Sequence, residues 1–94
     1  MPYIKSEKRP VLDGLITTLY SHCDSKGEIN YCITKLVHLW VLGRSLDSMW
    51  PGYDLRSLGH SVLQDAAAEY YREVMGPYED QKKKVNGPVS ELDR

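Results

Sequence analysis

Tyrosine rings and cationic side chains recur together along this chain. Tyr3, Lys5 and Arg9 stand near its start, Tyr31, Lys35 and His38 share one helical face, and Tyr71, Arg72, Tyr78 and Lys82 lie toward its end. A ring stacks on a nucleobase, while guanidinium and ammonium groups hold phosphate oxygens. Tyr3, Lys5, Arg9, Tyr31, Lys35, Tyr71, Arg72, Tyr78 and Lys82 are therefore the candidate ligand-binding residues, and a small anionic nucleotide is the ligand that fits them. A structural account competes with this one: Arg72 has Glu69 and Asp80 within helical reach, and Tyr78 can seal a helix end.

Other chemistry has little support. His22, Cys23, Cys32, His38 and His60 are scattered, without the short paired spacing of a zinc site, and no metal or cofactor is expected. There is no nucleophile elbow and no phosphate loop. Asp54 and His60 fall on different sides of a helix, a poor arrangement for an acid–base couple. The expectation is a protein that binds and does not catalyse.

Composition narrows the partners. The 94 residues carry 12 basic and 13 acidic side chains, a formal charge of -1. Duplex nucleic acid is held by a broad basic surface, so that class of partner is not expected. The third helical segment has only Arg56 and Arg72 as cations against Asp65, Glu69 and Glu73, a balance unsuited to a recognition helix. Lys82, Lys83 and Lys84 read as a solubilising helix end. No apolar run approaches the length of a membrane span and no signal-peptide pattern is present, so the expected setting is cytoplasmic, with no membrane contact. Seven Tyr, two Trp and no Phe put a polar handle on every ring, which places many rings at boundaries and interfaces.

These side chains need helices to hold them. Leu15, Ile16, Leu19 and Cys23 follow three-and-four spacing behind Asp13, the expected cap of a first helix that ends near residues 22–24, with Leu12 stapled onto its face. Asp24-Ser25-Lys26-Gly27 is turn chemistry. A second helix is predicted over residues 28–42, with Ile29, Cys32, Ile33, Leu36, Val37 and Trp40 on one stripe and Gly43 as its stop. Cys23 and Cys32 both fall on apolar faces, where a thiol packs as a small hydrophobe; a disulfide requires the two helices to pack antiparallel. Ser45 to Trp50 reads as one helical turn broken by Pro51-Gly52. Asp54 then caps a third helix over residues 55–75, thinned by Ala66-Ala67-Ala68. After Gly76-Pro77 a short helix over residues 78–85 places Glu79 and Asp80 at its positive end and the lysines at its negative end, with Asn86-Gly87 as its cap. The reading is an all-α fold: a compact bundle of three main helices plus a short C-terminal helix, one domain over residues 1–87 and a flexible tail over 88–94.

The chain also resembles a family of small functionally uncharacterised helical proteins of bacteria and tailed phages. Met1-Pro2-Tyr3-Ile4, Leu12-Asp13, Asn30-Tyr31, Ile33 and Leu36 carry that resemblance, and most strongly Tyr71-Arg72, Pro77-Tyr78-Glu79-Asp80, Lys82 and Asn86-Gly87. Gly14, Ala68 and Pro88 depart from its pattern. The resemblance implies a helical fold, a phage setting within a host cytoplasm, and no activity.

Two binding functions follow. In the first, a homo-oligomer sequesters a small nucleotide signal of host immunity. In the second, a helical adaptor or inhibitor docks on a host protein partner through Trp40, Met49, Trp50 and Tyr53.

Overall fold

The computed structural model describes residues 2–45 and 50–94. It groups the chain into two units, Met1–Leu63 and Gln64–Arg94. Every regular element among the described residues is helical, so the expected all-α class is the fold observed, with three principal helices and a short C-terminal one.

In the first unit a 3-10 turn, Ser6–Lys8, runs straight into α1 (Arg9–Tyr20). Asp13 therefore sits inside the helix and does not cap it. The earlier start follows from Pro10, whose fixed φ and missing N–H suit a first helical turn. Arg9 Nε donates to Ile4 O at 3.1 Å and ties the entering strand of chain to the helix. The helix ends at Tyr20, slightly before the expected stop. There His22 N–H reaches Leu19 O and Cys23 N–H reaches Tyr20 O, both at 3.0 Å.

A capping box opens α2 (Lys26–Gly43). Glu28 N–H donates to Ser25 Oγ at 3.1 Å, while Glu28 Oε1 accepts from the backbone N–H groups of Asp24 and Ser25 at 2.9 Å. Those donors hold the Glu28 carboxyl below its ordinary range. They also start the helix two residues before the predicted position. The helix closes at Gly43, where the sequence placed its stop. The helical turn expected over residues 45–50 rests on Leu46, Asp47, Ser48 and Met49, which lie outside the described residues.

α3 (Tyr53–Tyr70) begins in this unit, with Asp54 in its first turn. It comes nearest to α2 at Gly59, one of the buried residues, where an added Cβ would stand 2.8 Å from Val41 Cγ2 and 3.1 Å from Val37 Cγ1. Hydrogen alone fits there. Apolar side chains are otherwise poorly covered: none of those described is buried, and Leu15 and Ile16 of α1 remain 64% and 61% exposed.

The second unit takes α3 onward from Gln64. Helical backbone continues through a π turn, Tyr71–Met75, into α4 (Gly76–Asn86). The disturbance attributed to Gly76-Pro77 is thus absorbed upstream, without breaking the helix. Pro77 cannot donate to the carbonyl four residues back, and its ring crowds that carbonyl. The wider π turn, closed by Gly76 N–H on Tyr71 O, makes room for the ring. Gly87 ends α4 at φ +86°, a conformation that favours glycine, and its N–H meets Lys83 O at 2.7 Å. Within residues 88–94, Ser90 and Asp93 form a second capping box around a 3-10 turn, Glu91–Asp93. Asp93 accepts from the backbone N–H groups of Ser90 and Val89, which lower its pKa.

Gly59→Ala tests the α2–α3 contact. Overpacking costs ~1–3 kcal/mol, and better helix propensity returns ~1 kcal/mol. A net loss of about 1 kcal/mol is expected by urea denaturation, with part of it recovered when Val41→Ala is added.

Candidate ligand groove

The spacing of two helices builds a hollow in the first unit. On α2, Val37, His38 and Val41 fall within one turn; on α3, Arg56, Gly59, His60 and Leu63 recur at three and four residues. With Trp50 and Pro51 these line a groove of about 590 Å³. That volume lies within the usual range for small-molecule sites. Its floor is aliphatic, because Gly59 brings the backbone of α3 against Val37 and Val41.

Its polar groups are few and varied. Arg56 Nε donates to Pro51 O at 2.9 Å, which fixes the guanidinium plane. The two terminal amino groups have no further partner among the described residues, and a guanidinium carries donors in the fork geometry that matches a planar anion. Trp50 is 80% exposed, a ring face ready for stacking. His38 and His60 add two imidazoles, each able to donate or accept. The groove thus sets an exposed indole, a guanidinium and two imidazoles beside an aliphatic floor. Among the described residues no cluster of three or more His, Cys, Asp or Glu is placed to hold a metal ion.

The structure sorts the residues singled out from sequence into local settings. Tyr3 and Lys5 are exposed, and Arg9 is engaged with Ile4 O. Tyr31 lines a second hollow of about 440 Å³ with Cys23, Glu28 and Cys32, whereas His38, its expected companion, turns to the main groove. Lys35 is exposed on α2.

In the second unit, Tyr71 Oη donates to Glu79 Oε2 at 2.8 Å, and Arg72 pairs with Glu69 and, at 3.6 Å, with Glu73. Lys82 Nζ stands 5.6 Å from the centre of the Tyr78 ring, a one-turn cation–π pair. Among the adaptor anchors, Trp40 lies under Arg44 at 4.1 Å, Tyr53 is exposed, and Met49 lies outside the described residues. Arg56 and His60 are absent from the candidate set drawn from sequence, because Arg56 is weighed there with Arg72 as a nucleic-acid contact and His60 with Asp54 as an acid–base couple. Their shared spacing with Gly59 and Leu63 was the available signal.

The family comparison agrees with the resemblance carried by the two ends. A family model described as Domain of unknown function (DUF6899) matches residues 1–89. The chain belongs to that family. No curated protein and no solved structure matches it. Membership thus joins the chain to a family of unknown function, and the groove has to be read from its own chemistry. Among the described residues, no helix is long and apolar enough to cross a membrane.

The Tyr71–Glu79 bond has a titration signature. Its hydrogen bond to the carboxylate, the charge of Glu79, partial burial and Asp80 all raise the phenol above its ordinary value. The bond therefore contributes stability below the unfolded phenol's pKa, and loses it as pH rises through the higher folded value. Alkaline ultraviolet titration should show one late-ionising tyrosine, and Glu79→Gln should bring it back among the others.

Proposed function

We propose that this DUF6899 chain is a non-catalytic binding protein that captures a small, ring-bearing anion of the nucleotide class in the groove between α2 and α3. One observation carries the reading. An exposed indole, a guanidinium held in plane by Pro51 O and two imidazoles converge over an aliphatic floor of nucleotide size. Rings stack on Trp50, Arg56 takes the phosphate, and His38 and His60 complete its hydrogen bonds. In the phage setting implied by the resemblance, such a protein acts as a sponge that withdraws a nucleotide immune signal from the host cytoplasm.

Self-association belongs to the same proposal. A chain of this size leans on its apolar burial for stability, yet Val11, Leu15 and Ile16 of α1 stay uncovered. Further copies of the chain are the partner always present at matching concentration, and an isologous pairing of α1 stripes covers both at once. Light scattering at micromolar concentration should give a mass above the 10.8 kDa of one chain. Leu15→Glu with Ile16→Glu should return it to that mass.

A second reading is favoured by Trp50 and Tyr53, at 80% and 83% exposure beside the groove: a helical adaptor that inserts these rings into a protein partner. A thermal-shift panel of cyclic and linear nucleotides separates the two. A ligand at 100 times its Kd adds about 2.7 kcal/mol of stability, and Trp50→Ala and Arg56→Ala should each abolish the shift. A flat panel, together with stoichiometric Trp50-dependent recovery of one host protein, selects the adaptor.

A further inference from the structure

The turn between α1 and α2 brings the chain's two cysteines together. Cys23 stands just past the end of α1, and Cys32 lies on the second turn of α2. Their sulfur atoms are 3.6 Å apart, in contact but unbonded. Both thiols are half-buried, and both line the 440 Å³ hollow shared with His22, Glu28 and Tyr31. A small molecule entering that hollow meets two sulfurs side by side.

Two further features bear on exchange chemistry at the pair. The capping box of Ser25 and Glu28 fixes the chain between the two cysteines, so the backbone that carries both sulfurs is held by hydrogen bonds. Bond formation needs an S–S distance of about 2.05 Å, an approach within the range of side-chain rotation. Partial burial, the hydrogen bond with Cys32 and the negative charge around it, Glu28 and Asp24 included, push the Cys23 thiol up. A raised pKa lowers the thiolate fraction with which Cys23 itself attacks, and it makes Cys23 a poor leaving group, so a bond once made there is slow to break in exchange.

We propose that Cys23 and Cys32 form a dithiol site that reacts with small-molecule disulfides of the glutathione class and closes into an intramolecular disulfide. One cysteine thiolate attacks the small disulfide, its S–S bond breaks, and one small thiol leaves carrying a proton. The second cysteine thiolate then attacks the protein-bound sulfur of that mixed disulfide and expels the second small thiol. Two protein thiols are oxidised, one small disulfide is reduced to two thiols, and the two protons pass to the released thiols. The product clips the end of α1 to α2 beside Tyr31.

Intact-mass spectrometry with oxidised glutathione as the probe tests the site. Wild-type protein should lose two hydrogens and retain no glutathione, with peptide mapping placing the bond between Cys23 and Cys32. Cys23→Ser and Cys32→Ser should each accumulate one glutathione adduct. Because the fold positions the sulfurs, ring closure in the native chain should run at least tenfold faster than in urea-unfolded chain. Persistent adducts on wild-type protein, disulfide-linked dimers as the main product, or equal closure rates in folded and unfolded chain would each overturn the proposal.

Discussion

The close approach of α3 to α2 at Gly59 is the constraint on which the first unit depends. Val37 and Val41 fill the space where a side chain on Gly59 would stand, so the two helix backbones come as near as hydrogen permits. Close packing of this kind gains dispersion contacts on both helices, and it leaves no slack for rearrangement. It also sets the geometry of the groove. With the helices wedged at one point, Arg56, His60 and Leu63 on α3 face His38 and Val41 on α2 across a fixed gap. The groove is a by-product of that contact.

Elsewhere the molecule is held by local polar devices more than by a core. Ser25 with Glu28 starts α2, Ser90 with Asp93 orders the last residues, and Gly87 ends α4. Tyr71 with Glu79 bridges the π turn, and Arg72 is occupied by Glu69. Each operates within one or two helical turns and needs no distant partner. Such bonds fix where helices begin and end, but each contributes modestly to stability in water. This scheme leaves apolar residues of α1, Val11, Leu15 and Ile16 among them, uncovered.

The two hollows of the first unit divide its chemistry. The larger carries an indole, a guanidinium and imidazoles over aliphatic walls. The smaller carries two thiols, a carboxylate committed to a capping box and a phenol. α2 contributes to both, with His38 in one and Tyr31 in the other. Tyr31 and His38 stand seven residues apart, two turns along one face of α2, so the two hollows open at different levels of the same helix.

Sequence by itself determined the helical class, the stops at Gly43 and Gly87 and the break after the first helix, because each is decided by a few neighbouring residues; of the turn read at residues 24–27, Lys26 and Gly27 belong to α2. Period, capping chemistry and positive φ act over one turn, and so they can be read locally. It misjudged Asp13 because Pro10 starts a helix without a polar cap, and Pro77 because a π turn absorbs the ring without ending the helix. The tertiary structure alone decided that Arg56, His38, His60 and Trp50 converge, and that Cys23 touches Cys32. Both depend on how close two helices approach, and that distance is set by side-chain volumes meeting across space, as at Gly59 and Val41, not by any one stretch of chain.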